Sequence, residues 1–191
     1  MYVATIILSL VTAFLLWLTH HELYAILSYA IVIPALISLP RIVYRRHRGS
    51  LTPAWLTRVE RLGFFLVAID APGTLYFHER SAIYQYDRLL HFLVGLSLIS
   101  LLVLLVLPFL KNTVRVRKLI PLIGLAAFVG LFAWEGWQFI NDRLFGTHLF
   151  FDHAQPILQD FWEDIAFGTA GLICSIPFVR RLSAHLDRYV S

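Results

Sequence analysis

Apolar residues along this chain come in six long runs, each bounded by charge, Pro or Gly, at about 2–18, 23–39, 62–77, 89–110, 119–140 and 161–179. Each approaches the roughly 17 to 25 mostly apolar residues that a membrane-spanning helix needs. The pattern predicts an all-α fold, a polytopic transmembrane helical bundle of about six spans forming one integral membrane domain over 1–191. The third run is the weakest, being short and interrupted by Asp70-Ala71-Pro72-Gly73. It gains length if the helix starts at Thr52-Pro53, where a Thr cap followed by Pro is a good helix start. That beginning (Trp55, Leu56 and Val59 against Arg58 and Arg61) reads as amphipathic and interfacial. The first run lacks a basic leader and a small-x-small cleavage site, so it reads as a retained span rather than a signal peptide.

Composition agrees with the pattern. Of 191 residues, 59% are apolar and only 15% charged, with a mean hydropathy of +0.72. A soluble domain carries about a quarter charged residues. The single cysteine, Cys174, excludes a disulfide framework and reads as a small apolar packing residue.

Charge orients the spans. Cytoplasmic loops of membrane proteins are enriched in Lys and Arg. With six spans, one side receives Arg41, Arg45, Arg46, Arg48, Arg58, Arg61, Lys111, Arg115, Arg117, Lys118, Arg180, Arg181 and Arg188. Only Arg80, Arg88 and Arg143 fall opposite, so both termini are expected in the cytoplasm. The basic balance then reflects topology and attraction to anionic lipid, not nucleic-acid binding.

Acids do the reverse. Glu60 and Asp187 fall on the inner side, while Glu22, Asp70, Glu79, Asp87, Glu135, Asp142, Asp152, Asp160, Glu163 and Asp164 belong to the outer half or outer loops. Ionisable groups in hydrocarbon are costly unless they pair, bind an ion or face water. Asp87 and His91, four apart, share a helix face at the outer mouth of the fourth run. Glu135 lies about 9 Å below the outer end of the fifth run, with Gln138 on the same face. Asp160 and Asp164 repeat the four-residue spacing in the sixth run, and Asp70 sits at mid-depth or shallower in the third.

Plainer roles compete for these residues. Asp87 and Asp160 can serve as N-caps, where an acid meets free backbone N–H groups and the helix dipole. His91 can be a satisfied helix–helix hydrogen-bonding residue, and Asp70 can cap a half-helix after its break. Capping does not explain Glu135 or Asp164, which are the candidates for chemistry. Asp142, Glu163, His148 and His153 read as solvated loop or rim groups, and Asp152 as a rim residue able to fold over the site. Trp17, Trp134, Trp137 and Trp162 read as an outer aromatic belt and Trp55 as an inner one. Ala126, Gly130, Gly168, Ala170 and Gly171 permit close helix contact.

Taken in order, Tyr86-Asp87-Arg88-Leu89-Leu90-His91-Phe92, Trp134-Glu135-Gly136-Trp137-Gln138 and Asp160-Phe161-Trp162-Glu163-Asp164, with Gly168 and Gly171 beyond, resemble the YjdF-like family of bacterial inner-membrane proteins. The chain is more distantly similar to VanZ-like proteins, which share the acid-x-x-x-His opening. The resemblance spans roughly 70–172. It departs from the family pattern at Asp70, where the family carries His, at Gln138, where it carries Glu, and in the spacing of the last acidic motif. Such swaps keep ligand-capable groups while leaving the ion open. The resemblance implies a small polytopic protein of the bacterial inner membrane, and its VanZ-like side implies an envelope or lipid-linked role.

Three function classes follow. The first is a site for a divalent metal (Mg, Mn, Fe or Zn) held by Asp70, Asp87, His91, Glu135, Asp160 and Asp164, with Gln138 and Asp152 at the rim. It would act on a lipid or envelope precursor, with Glu135 and Asp164 in the chemistry. The second is a proton- or cation-coupled transporter, suggested by the broken third run. The third is a non-catalytic membrane factor whose acids and His form a structural polar network.

Overall fold

The protein, described here by a computed structural model, is defined over residues 1–19, 23–77, 83–110, 112–145 and 156–190. The expectations at Glu22, Glu79, Arg80, Lys111, His148, Asp152 and His153 lie outside the described residues. Every apolar run is helical, and the described residues contain no strand, only an isolated bridge between Leu51 and Val190.

The helices are α1 (Tyr2–Leu18), α2 (Leu23–Leu27), α3 (Ile33–Arg46), α4 (Pro53–Pro72), α5 (Ile83–Val106), α6 (Thr113–Phe145), α7 (Ile157–Cys174) and α8 (Ile176–Ala184). A π turn at Ser28–Val32 joins α2 to α3, and a second at Gly73–Phe77 extends α4. Both turns adjoin a proline (Pro34 and Pro72), which removes a ladder N–H that a π turn accommodates. The expected break at Pro72-Gly73 is therefore a continuous helix with one widened turn.

Among the described residues, four helical segments are long and apolar enough to cross a membrane: Ala25–Arg46, Tyr86–Phe109, Thr113–Leu144 and Ile157–Ala184. α1 is apolar but has only 17 residues, about 25 Å at 1.5 Å rise. α4 carries Arg58, Glu60 and Arg61 in its first half. Leu122, Leu125, Val129 and Phe132 lie exposed along α6, as do Val3, Ile7, Leu10 and Phe14 along α1. Such a continuous apolar surface suits lipid, not water.

Contacts at the two ends show that successive segments run antiparallel. At one end the Tyr2 backbone N–H donates to Glu60 Oε2 (3.2 Å), and Arg41 Nε donates to Glu60 Oε1 (2.8 Å). There the Thr52 hydroxyl donates to Arg188 O (2.6 Å), and Arg117 donates to Ser183 O and Asp187. The Thr113 hydroxyl, and after it Arg117, hold the Asp187 carboxyl below the usual carboxylate range. This end gathers the basic loops; the acids of α5, α6 and α7 lie at the other. The Thr52 hydroxyl does not close onto the first turn of α4, because the C-terminal segment takes it.

Two apolar cores hold the bundle. One joins α1, α2, the first π turn and α4 through Leu16, Ala25, Tyr29, Val67 and Ala71; the other joins α4 to α8 around Trp55, Val103, Leu104, Val116 and Leu186. Trp55 is fully buried and its indole N–H donates to Leu104 O (2.7 Å). It is a core anchor rather than an interfacial residue, since the chain end around Leu51, Leu186 and Val190 covers it. The other four tryptophans remain exposed near the acidic end. Cys174 is exposed on the apolar surface, not packed inside.

Candidate functional site

Glycines set the site's geometry by bringing α5 and α7 into backbone contact. A methyl group added at Gly95 would lie 3.0 Å from the Gly168 carbonyl carbon and 3.2 Å from Leu172 N. One added at Gly171 would lie 2.8 Å from Leu96 N. With no Cβ in the way, α5 and α7 pack more extensively than any other helix pair in the fold. The Asp87–His91 turn of α5 therefore faces the Asp160–Asp164 turn of α7. Arg88 clamps the rim by donating to Glu163 Oε2 through Nη2 (2.6 Å) and Nε (3.0 Å).

His91 is the centre. Its Nε2 lies 3.5 Å from Asp87 Oδ1 and 3.4 Å from Asp164 Oδ1, while Nδ1 lies 3.5 Å from Glu135 Oε1 on the other side of the ring. These separations exceed the usual N–H···O range of about 2.7–3.2 Å. On the Nε2 side they match the edge of a shared coordination sphere instead: two ligands each about 2.1 Å from one ion at a tetrahedral angle lie about 3.4 Å apart. Asp87, His91 and Asp164 offer ligand atoms that all fall within 4.8 Å of one another.

Burial sharpens this arrangement. Glu135 and Asp164 are 3% and 4% exposed, and Glu135 Oε1 and Asp164 Oδ1 have no hydrogen-bond partner. Leaving a buried polar oxygen unpaired costs about 1–3 kcal/mol, and more if it is charged. Both orphaned oxygens face His91, one on each side of the ring.

Asp160 is buried as well, one turn above Asp164. With Glu135, Gln138 and Asp142 it lines a void of about 10 Å³ between α6 and α7, room for one water or ion. The capping roles for Asp87 and Asp160 do not hold. Asp87 lies a full turn inside α5, and the Asp160 N–H is already bonded to Pro156 O (3.1 Å). Asp70 does not cap a half-helix; its carboxylate accepts from the Tyr29 hydroxyl.

Sequence reading missed several contributors. Asp142 was expected at the solvated rim but is 2% exposed, because α6 continues past Ile140. Its spacing of seven from Glu135 places the two on one face and was the available signal. Tyr29, Thr74 and Tyr86 gave no such signal. The Tyr29 hydroxyl reaches Asp70 and lies 3.4 Å from Thr74 Oγ1, and the Tyr86 hydroxyl donates to Ile69 O. Glu163, also expected at the rim, is the partner of Arg88.

Beside His91 opens a crevice of about 900 Å³. Its floor is α5 from Tyr86 to Leu102; α2, α4 and the two π turns form one wall and Ala126–Gln138 of α6 the other. Ala126 and Gly130, expected to bring helices together, widen this space instead, and a methyl group at Gly130 would meet nothing within 4 Å. Asp70, Asp87, His91, Glu135 and Gln138 all reach its polar end.

The family described as "Predicted membrane protein (DUF2238)" has a model that matches residues 3–185. No curated protein and no solved structure matches the chain.

Proposed function

The chain belongs to the DUF2238 family of predicted membrane proteins, and from that premise we propose that it is a metal-dependent membrane enzyme acting on a lipid or envelope precursor. Asp87, His91 through Nε2, and Asp164 hold a divalent cation (Mg, Mn, Fe or Zn), with Asp160 beside them. Glu135 faces Nδ1, the position from which a carboxylate orients a ligating imidazole and raises its basicity. It also borders the crevice, where it is placed to exchange a proton with bound substrate. A bound ion would activate water or polarise an oxygen of the substrate. The family resemblance to YjdF-like and VanZ-like proteins supports an envelope role, and the segregation of basic loops supports an inner-membrane location with the site at the outer leaflet.

One observation carries this reading: two buried carboxylate oxygens without partners flank one imidazole. A self-contained polar network would have satisfied them. Coupled transport is less well supported, because the crevice below Glu135 is lined by Val94, Leu98 and Leu102, with nothing titratable.

Titration of chelator-stripped protein with Mn²⁺, Zn²⁺ and Mg²⁺ tests the reading. The full chain should bind one equivalent of at least one of these ions. Asp87→Asn, His91→Ala and Asp164→Asn should each weaken binding at least tenfold, while Asp187→Asn at the opposite end should not. Failure of all three ions to bind the folded wild-type protein overturns it.

A further inference from the structure

The crevice beside His91 has a polar end, an apolar length and an open wall, and these define its occupant. Its apolar floor runs along α5 from His91 to Leu102, eleven residues or about 16 Å, which is close to one leaflet of a hydrocarbon core about 30 Å thick. Its volume of about 900 Å³ falls within the range of small-molecule sites. Among the described residues α6 packs on α5 and α7 but makes no comparable contact with α1 to α4, so the space between the walls faces the bilayer.

Charge selects the head group. Asp70, Asp87 and Glu135 line the polar end, and among the described residues no Lys or Arg lines the crevice. Asp160 and Asp164 lie just behind. Five carboxyl groups thus gather around His91 and any bound divalent ion, a local excess of acid that disfavours an anionic head and favours a cationic one. Tyr29 and Thr74, presented by the two π turns, surround Asp70 with hydroxyl groups.

We propose that this crevice takes, from the bilayer, the apolar chain of an amphiphile with an ammonium head, the ammonium resting against Asp70 and the chain lying along α5. The proposal deepens the metal-site reading by naming its substrate class and rests on it only for what happens to the bound molecule. Asp70 and Gly130 belong to the crevice; Asp164 belongs to the cation site and does not line the crevice.

Native mass spectrometry of the full chain, released from maltoside detergent with dodecylamine or dodecanoate added, reads occupancy directly. The wild type should bind one dodecylamine at least tenfold more tightly than dodecanoate. Gly130→Leu, whose side chain enters open space, should weaken dodecylamine at least tenfold without changing cation content; Ala126→Leu, one turn away on the same wall, repeats the block. Asp70→Asn should remove the preference for the amine. Asp164→Asn should weaken cation binding at least tenfold and keep amine binding within threefold. Equal binding of the two amphiphiles, indifference to both blocking variants, or a ligand-free dimer that both variants disrupt would overturn the proposal. Amine binding by a wild type that carries no cation would support the crevice assignment and sink the metal reading instead.

Discussion

At the scale of single residues, the account turns on which side of an imidazole each carboxylate occupies. Asp87 and Asp164 share the Nε2 side of His91, and Glu135 has the Nδ1 side to itself. Removing a direct ligand and removing an orienting carboxylate therefore have different consequences. Glu135→Gln keeps the side chain's size and is expected to lower metal affinity about 10–100-fold while leaving one ion per chain at saturation. X-ray absorption on the Zn-loaded protein should show a single imidazole nitrogen at about 2.0–2.1 Å, absent in His91→Ala. Two or more imidazoles would place the ion elsewhere. Candidates for this site were readable because an acid or imidazole inside an apolar run is costly. The side of the ring was not, since it depends on the rotation of α5 against α6. The partner of Asp70 was not readable for the same reason: Tyr29 is an ordinary aromatic in sequence and meets Asp70 only through a π turn.

At the scale of elements, the contact between α5 and α7 holds the centre together. Gly95 and Gly171 let the backbones meet where any side chain would strike main-chain atoms, which cannot move aside as a flexible side chain can. Gly95→Leu should cost about 3 kcal/mol or more, at the upper end of overpacking effects, and should abolish cation binding by separating Asp87 from Asp164. Gly136→Leu, on α6 with nothing within 4 Å of an added methyl group, should lower neither the melting temperature nor metal content. Helix identity and approximate length were legible, α1 to the residue, because long apolar runs have few alternatives in a bilayer. Both ends of α6 extended past the apolar run, through Thr113–Lys118 and Asn141–Phe145, since a helix need not stop where hydrophobicity does. That extension converts Asp142 from a loop residue into part of the acidic face.

At the scale of the whole molecule, the fold separates charge: basic loops and both chain ends gather at one end of the bundle, and the buried acids at the other. The alternation of basic and acidic loops made this polarity readable from sequence. The crevice was not readable, because it arises where α6 fails to close against α2 and α4, and a missing contact leaves no periodic trace. In the proposed function a divalent cation sits at the acidic end, on His91. Spin labels at the two ends of α6 test it most directly. In a Cys174→Ser background, Val114→Cys and Leu144→Cys both place an exposed label on one helix, about 45 Å apart along its axis. Bound Mn²⁺ should strongly enhance relaxation of the label at 144 and leave the label at 114 nearly unchanged, and the effect should vanish in His91→Ala. Equal enhancement at both ends, or enhancement at 144 that survives His91→Ala, would contradict the account.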